Sequence, residues 1–376
     1  MASVTGLDGV VAAETELSLV DGEKGLLIYR GYEAKELALH VSFEEAAYLL
    51  WNGQLPTAEQ LFYFRSKWKE LRAVPAGLTA ILDVLPAECD MMSVLRTVIS
   101  AAGAEHGKNS VWPPQQEDMI RYTVLLPTLI AYRHRRNAGL VSVEPHPELD
   151  HVANYLYMLT GEVPLPAHVK ALTAYFILAM EHGMNASTFA GRVVLSTQSD
   201  VASALCASIG AMKGPLHGGA PSEVVHMLDD IGTKENAERW LREQLEAGQR
   251  LMGFGHRIYK TLDPRAEALR ILMTELSMED AWFELAVHVE ETAVGLLHAY
   301  KPGRKLHTNV EFYAAAVLRA VSMPKTLFTS TFTASRMVGW TAHLLEQASC
   351  NRIFRPQSVY VGPGRTSLSE SNQNEK

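Results

Sequence analysis

The sequence predicts a mainly α-helical protein with one small hairpin near its N-terminal end, divided into a large and a smaller domain. Three observations carry this. Apolar residues recur at three- and four-residue spacing, as in Phe43, Ala46, Ala47 and Leu50, then Leu269, Leu272, Met273 and Leu276, then Val289, Ala293, Leu296 and Leu297, the period of one helix face. Strand signals are nearly confined to residues 17–20 and 26–29, which flank Asp-Gly-Glu-Lys-Gly and read as a hairpin. A chain of 376 residues, 47% hydrophobic and 20% charged, is long enough for one large core and a second small one.

Composition narrows the function classes. A formal net charge of −8 argues against a nucleic-acid binder, which needs a basic face to displace counterions from phosphates. An anionic substrate would therefore have to meet positive charge concentrated locally. Cys89, Cys206 and Cys350 form no CxxC and no even framework, which points to a reducing compartment. The opening residues carry no basic and apolar leader pattern, and no apolar run exceeds residues 174–180, too short to span a bilayer, so the expected location is the cytoplasm.

In chain order, Pro113, Pro114 and the polar run after them lead into a helix through residues 125–132, and Pro145 with Pro147 marks a further loop. Residues 169–180 are apolar almost all round, as in a helix buried on every side. That helix stops at Glu181-His182-Gly183, which leaves His182 at the end of a buried helix. Residues 213–224, Lys-Gly-Pro-Leu-His-Gly-Gly-Ala-Pro-Ser-Glu-Val, break the helix on both sides of His217 and place the imidazole in a tight turn. Residues 252–265 concentrate the most chemistry: Gly253 and Gly255 allow close backbone approach, and His256 follows at the mouth of the turn. Asp263 and Pro264 then start a helix with Arg265 in its first turn, aimed back towards His256. The third glycine of a dinucleotide fingerprint is absent, because Ile258 stands there and no strand precedes it. Asn309 reads as an N-cap, with Glu311 in the first turn of an apolar helix. Arg336 lies in a later helical stretch, and Arg352 and Arg355 precede Pro356. Each feature also has a plain structural reading as a surface turn, a satisfied core histidine, a helix-end charge or a solvated arginine. What favours chemistry is their company in one chain.

Together these segments resemble the citrate synthase family, most closely its bacterial members, over nearly the whole chain. The likeness is strongest in Glu181-His-Gly-Met-Asn-Ala-Ser-Thr-Phe189, Lys213-Gly-Pro-Leu-His-Gly-Gly-Ala220, the run from Met252-Gly-Phe-Gly-His256 through Asp263-Pro-Arg265, and Ser335-Arg336. The resemblance implies condensation of acetyl-CoA with oxaloacetate and hydrolysis of the citryl-CoA thioester. In that scheme His217 hydrogen-bonds the thioester carbonyl, His256 polarises the ketone of oxaloacetate, and His182, Arg265 and Arg336 bind oxaloacetate. Glu311 takes the place of the catalytic base, and Arg355 reaches the site from a partner subunit, which makes a homodimer part of the apparatus. Coenzyme A brings phosphates, and Arg257 and Lys260 beside the glycine turn are candidates to meet them.

The resemblance implies no metal or redox cofactor, and no HExxH or CxxC spacing is present. It also implies a two-domain helical fold, with a large domain from residues 1–215 and 323–376, a small domain at 216–322, and closure between them that excludes water. Two positions depart from the family pattern. Glu311 stands where the best-known members have aspartate, and Gln357 replaces a frequently basic residue. The same fold and catalytic residues serve 2-methylcitrate synthase, which uses propionyl-CoA. A non-catalytic sensor of CoA thioesters or dicarboxylates is the rival from another class.

Overall fold

The computed structural model describes residues 5–7, 9–106, 111–218, 220–256, 258–276, 281–303 and 306–364. After a short 3-10 helix (Thr5–Leu7) comes an antiparallel sheet of β1 (Ser18–Asp21), β2 (Leu26–Tyr29) and β3 (Tyr32–Glu33), in that order. The sequence predicted two strands. The third arises because Arg30 (φ 48°) and Gly31 (φ 91°) both adopt left-handed backbone between the paired Tyr29 and Tyr32, which is the two-residue turn that matches strand twist.

Among the described residues, the elements after the sheet are helices, apart from an isolated bridge between Phe254 and Thr308. The first part of the chain forms α1 (Ala34–His40), α2 (Phe43–Asn52), α3 (Ala58–Glu70), α4 (Ala76–Val84), α5 (Met91–His106), α6 (Gln116–Asn137), α7 (His151–Thr160), α8 (Pro166–Ala179), α9 (Ala186–Ser196) and α10 (Val201–Lys213). The remainder forms α11 (Ala220–Ile231), α12 (Lys234–Glu246), α13 (Pro264–Leu276), α14 (Ala281–Tyr300), α15 (Val310–Ala320) and α16 (Phe328–Ser349). Local chemistry sets many of the starts. Ser42 with Glu45 and Thr57 with Gln60 form reciprocal capping boxes at α2 and α3, and Pro166 occupies the first turn of α8, where its missing N–H costs nothing.

Two helices organise the interior. α8 is buried along most of its length, as its all-round apolar pattern requires, and α16 is buried from Phe328 to Ala348 with few interruptions. α16 packs on α2, α5, α6, α8, α9 and α10, while α8 packs on α1, α2, α7, α13, α15 and α16. α12 and α14 pack on each other, and α11 packs on α12, α14 and α15. The 216–322 stretch therefore meets the rest of the chain chiefly through α13 and α15. No helix among the described residues is long and apolar enough to cross a membrane.

Candidate active site

Most of the predicted site residues gather around the C-terminal end of α8. His182 follows that end directly and is buried (8% exposed), and its Nε2 lies 3.1 Å from the Tyr259 hydroxyl. Burial, with Arg265, Arg336 and His256 nearby, holds its pKa well below the ordinary histidine value.

His256 is delivered by the glycine turn. Gly253 (φ 84°) and Gly255 (φ 80°) are both left-handed, which other residues rarely tolerate. Their shape lets the segment pair with residues 307–309: Gly255 N donates to His307 O (2.8 Å), and Asn309 N to Gly253 O (2.9 Å). His256 thus lies against the start of α15. Its Nδ1 accepts from the backbone N–H groups of Ile258 (3.0 Å) and Tyr259 (3.1 Å), so in the neutral ring the proton sits on Nε2. Burial and then the charge of Arg265 push its pKa down to about 4, so the ring is neutral near pH 7. The ring centroids of His182 and His256 are 5.7 Å apart.

Arg265 points back to His256 as the sequence predicted, with Nη2 3.3 Å from Nε2. Both atoms carry hydrogens, so two donors face one another and an acceptor from a ligand is what satisfies both. Asp263 orients the guanidinium with two charge-assisted bonds, Nε to Oδ1 (3.0 Å) and Nη2 to Oδ2 (2.9 Å). The same carboxylate caps α13 through Arg265 N (3.0 Å) and accepts from Val310 N at the start of α15 (3.0 Å). Burial works against its ionisation, but Arg265 holds its pKa below the ordinary value. The sequence identified Asp263 only as a cap; its Asp-Pro-Arg spacing was the available signal for the rest.

Glu311 follows one residue later, its own N–H capped by Asn309 Oδ1 (3.0 Å). Burial pushes its carboxyl up to about 7, with Asp263 adding to the rise while Arg265 and Arg336 oppose it. Arg336 is 2% exposed on α16, where Nε donates to Ala179 O (2.6 Å) and the guanidinium lies over the Phe332 ring (4.8 Å). Burial lowers its pKa, and Glu181 opposes the shift.

His217 lies in the turn between α10 and α11, and Phe332 also meets its ring, at 6.4 Å. Burial and then Arg336 lower its pKa. Its Nε2 lies 2.8 Å from Ser187 Oγ, a hydroxyl that accepts from Trp340 Nε1 (3.0 Å) and donates to Asn185 Oδ1 (2.7 Å). Ser187 has one proton to give. In this structure it goes to Asn185 Oδ1; turned instead to His217 Nε2, it leaves His217 carrying its own proton on Nδ1.

Behind His182 a buried polar chain runs through α16 and α9. Arg192 Nη1 donates to His343 Nδ1 (2.9 Å), which leaves Nε2–H to donate to Glu181 Oε1 (3.1 Å). The bonds of His343 to Arg192 and to Glu181 carry no local sequence signal, since those partners are more than 150 residues away. Three further predicted contacts remain. Lys260 is exposed, its charge near enough to His256 to help lower that ring's pKa, Arg355 is exposed on the segment after α16, and Arg257 lies outside the described residues. Among the described residues no group of three or more His, Cys, Asp or Glu is placed to hold a metal ion.

Residues 6–357 match the sequence model of the citrate synthase C-terminal domain. The chain is 40% identical over 368 residues to the citrate synthase of Mycolicibacterium smegmatis, covering 96% of each chain. It is 39% identical over 363 residues to the 2-methylcitrate synthase of Mycobacterium tuberculosis, covering 95% of this chain and 90% of that one. Among solved structures, the citrate synthase of Thermoplasma acidophilum, in a ternary complex with carboxymethyl coenzyme A and oxaloacetate, superposes with a TM-score of 0.87 at 28% identity. That match covers 97% of this chain and 98% of that one.

Proposed function

The chain belongs to the citrate synthase family and is a condensing acyltransferase, and from that premise we propose that it joins acetyl-CoA to oxaloacetate and hydrolyses the resulting citryl-CoA to citrate and CoA. One observation carries the substrate assignment: His256 Nε2–H and Arg265 Nη2 meet as two donors 3.3 Å apart, beside a carboxyl held at about 7. Two converging donors, one of them Arg265 Nη2 with a hydrogen beyond the one it gives Asp263, describe a receptor for an anionic oxygen. Arg336 and His182 extend it to the size of a dicarboxylate, and the starts of α13 and α15 contribute their positive dipole ends.

In this reading Arg265 and Arg336 hold the carboxylates of oxaloacetate, and His182 completes its binding. Glu311, ionised, takes a proton from the acetyl methyl group. The carbonyl oxygen then gains enolate character, and His217 Nδ1–H stabilises it, a role that requires the Ser187 hydroxyl to turn its proton from Asn185 Oδ1 to His217 Nε2. The enolate carbon attacks the ketone of oxaloacetate, a C–C bond forms, and His256 Nε2–H meets the charge that develops on the ketone oxygen. Neutral donors fixed in a water-poor site suit this task, because they need no reorganisation when charge appears. Water then attacks the citryl thioester, the C–S bond breaks, and CoA leaves as the thiol. Arg257 and Lys260 remain proposed contacts for CoA phosphates. The 216–322 segment is the proposed small domain, closing on the large one when substrates bind.

The likeness to the Mycobacterium tuberculosis enzyme favours a second reading on the same fold, with propionyl-CoA giving 2-methylcitrate. One methylene in a pocket is worth about 1 to 3 kcal/mol. Oxaloacetate-dependent thiol release, measured side by side, should show kcat/KM for acetyl-CoA exceeding that for propionyl-CoA by at least about tenfold. A reversed ratio would assign the second activity. Substrate binding without turnover would leave a sensor and remove both.

A further inference from the structure

We propose that the turn of the N-terminal hairpin, residues 21–25, is a positioning element that sets the wall bearing His256 and Arg265 against the wall bearing His182. The proposal rests on the oxaloacetate-binding reading given above. Among the described residues the hairpin's side chains make no hydrogen bond to His182, His256, Arg265 or Arg336, yet the hairpin is bonded to both walls.

On one side, Ser18 Oγ donates to Glu181 Oε1 (2.9 Å) and the Tyr29 hydroxyl donates to Glu181 O (2.7 Å), so β1 and β2 grip the residue just before His182. On the other side, Gly22 O accepts from Lys260 N (2.8 Å), in the middle of the segment that connects His256 to Arg265. The two glycines of the turn lie directly on that segment. A Cβ at Gly22 would stand 2.2 Å from Ile258 O, and one at Gly25 would stand 2.8 Å from Leu262 O. Gly22 has no left-handed φ, so its backbone does not require glycine; only the closeness of the other chain does. The turn is stiffened from within, because Asp21 Oδ1 accepts from the N–H groups of Glu23 (3.1 Å) and Lys24 (3.0 Å). The contact between His182 Nε2 and the Tyr259 hydroxyl (3.1 Å) closes the triangle, since Tyr259 lies between the two residues that Gly22 abuts.

A turn that served only to cover the surface would tolerate a methyl group by moving outward. Here outward movement pulls on Lys260 N, and with it on the segment that ends in Asp263 and Arg265. Accommodating a Cβ requires a shift of about 1 Å, a misplacement that can cost about 100-fold in a preorganised site.

The test uses the full-length protein. Oxaloacetate affinity is measured by calorimetry for the unmodified chain and for Gly22→Ala, beside the melting temperature of each. A Kd raised at least tenfold in the variant supports the proposal. A purely structural role would lower the melting temperature and the number of competent sites but leave the Kd of the remaining sites unchanged, and an unchanged Kd overturns the proposal. Should Gly22→Ala fail to fold, hydrogen exchange on the unmodified protein decides. Oxaloacetate should slow exchange in peptides from residues 18–29 together with those from 256–265, and slowing confined to 256–265 overturns the proposal. Failure of the unmodified chain to bind oxaloacetate is a different outcome, because it overturns the functional reading on which the proposal rests.

Discussion

Burial raises the Glu311 carboxyl from 4.5 to about 7, so between those values the folded chain holds a proton there that the unfolded chain has released. The sign follows from linkage: the contribution to stability is fully present below about pH 4.5 and is lost as pH rises through about 7. Glu311→Gln removes the loss. Its melting temperature should exceed that of the unmodified chain by a few degrees at pH 8, on the order of what a few kcal/mol moves in a protein of this size, and by little at pH 4.5. The same change removes the base, so kcat should fall by at least about 100-fold while oxaloacetate binding persists. In the unmodified enzyme kcat/KM should fall below about pH 7 with one ionisation, since His256 titrates near 4 and adds no second step in that range. A variant that melts lower at pH 8 and keeps its turnover would return Glu311 to the status of a helix-start charge, which was the plain alternative in the sequence.

At the scale of elements, the site depends on how closely α8 and α16 approach. A Cβ on Gly339 would stand 2.1 Å from Met180 O and 2.6 Å from Glu181 Oε2, so glycine there lets α16 pass directly under the end of α8. Gly339→Ala should force the two helices apart, destabilising the chain by about 1 to 3 kcal/mol as overpacking does. It should also weaken oxaloacetate binding, because His182 and Arg336 lie on opposite sides of the contact. Chemical denaturation and a binding isotherm check both, and a loss of stability with unchanged affinity would separate the packing from the site. This contact also shows what the sequence could disclose. The helices were legible from apolar spacing, and so were the helix starts at Pro264 and Val310, because caps and periods are local. The aim of Arg265 at His256 was legible too, since nine residues separate them. Gly339 looks like an ordinary helical glycine, and its purpose lies some 160 residues away in the chain. Asp263 was read as a cap because that job is local, whereas its bond to Val310 N depends on how α13 and α15 meet. The pair of donors on His256 and Arg265 emerged only once the backbone around Tyr259 fixed the tautomer.

At the scale of the whole molecule, the chain after α16 does not look self-sufficient. Asn351 and Phe354 tie it to Ser196 on α9, and the Phe354 ring packs on Phe189 at 5.4 Å. Beyond that point Arg355 is exposed, and Val359, Tyr360 and Val361 are 72, 77 and 91% exposed. Three consecutive apolar residues open to water, following an arginine that the family resemblance assigns to a neighbour's site, fit a segment that lies on a second copy of the chain. If so, each site is built from two chains, and two defective chains can repair one another. Arg355→Ala and His217→Ala should each be inactive alone. Mixed and allowed to exchange, they form heterodimers in which the Arg355→Ala chain supplies an intact His217 and receives Arg355 from its partner. Random pairing makes about half of the dimers mixed, each with one of two sites complete, so about a quarter of full turnover should return. Native mass spectrometry would verify the exchange. Exchange without recovered activity would place Arg355 in the site of its own subunit or outside catalysis, and the exposed apolar run would then need a different occupant.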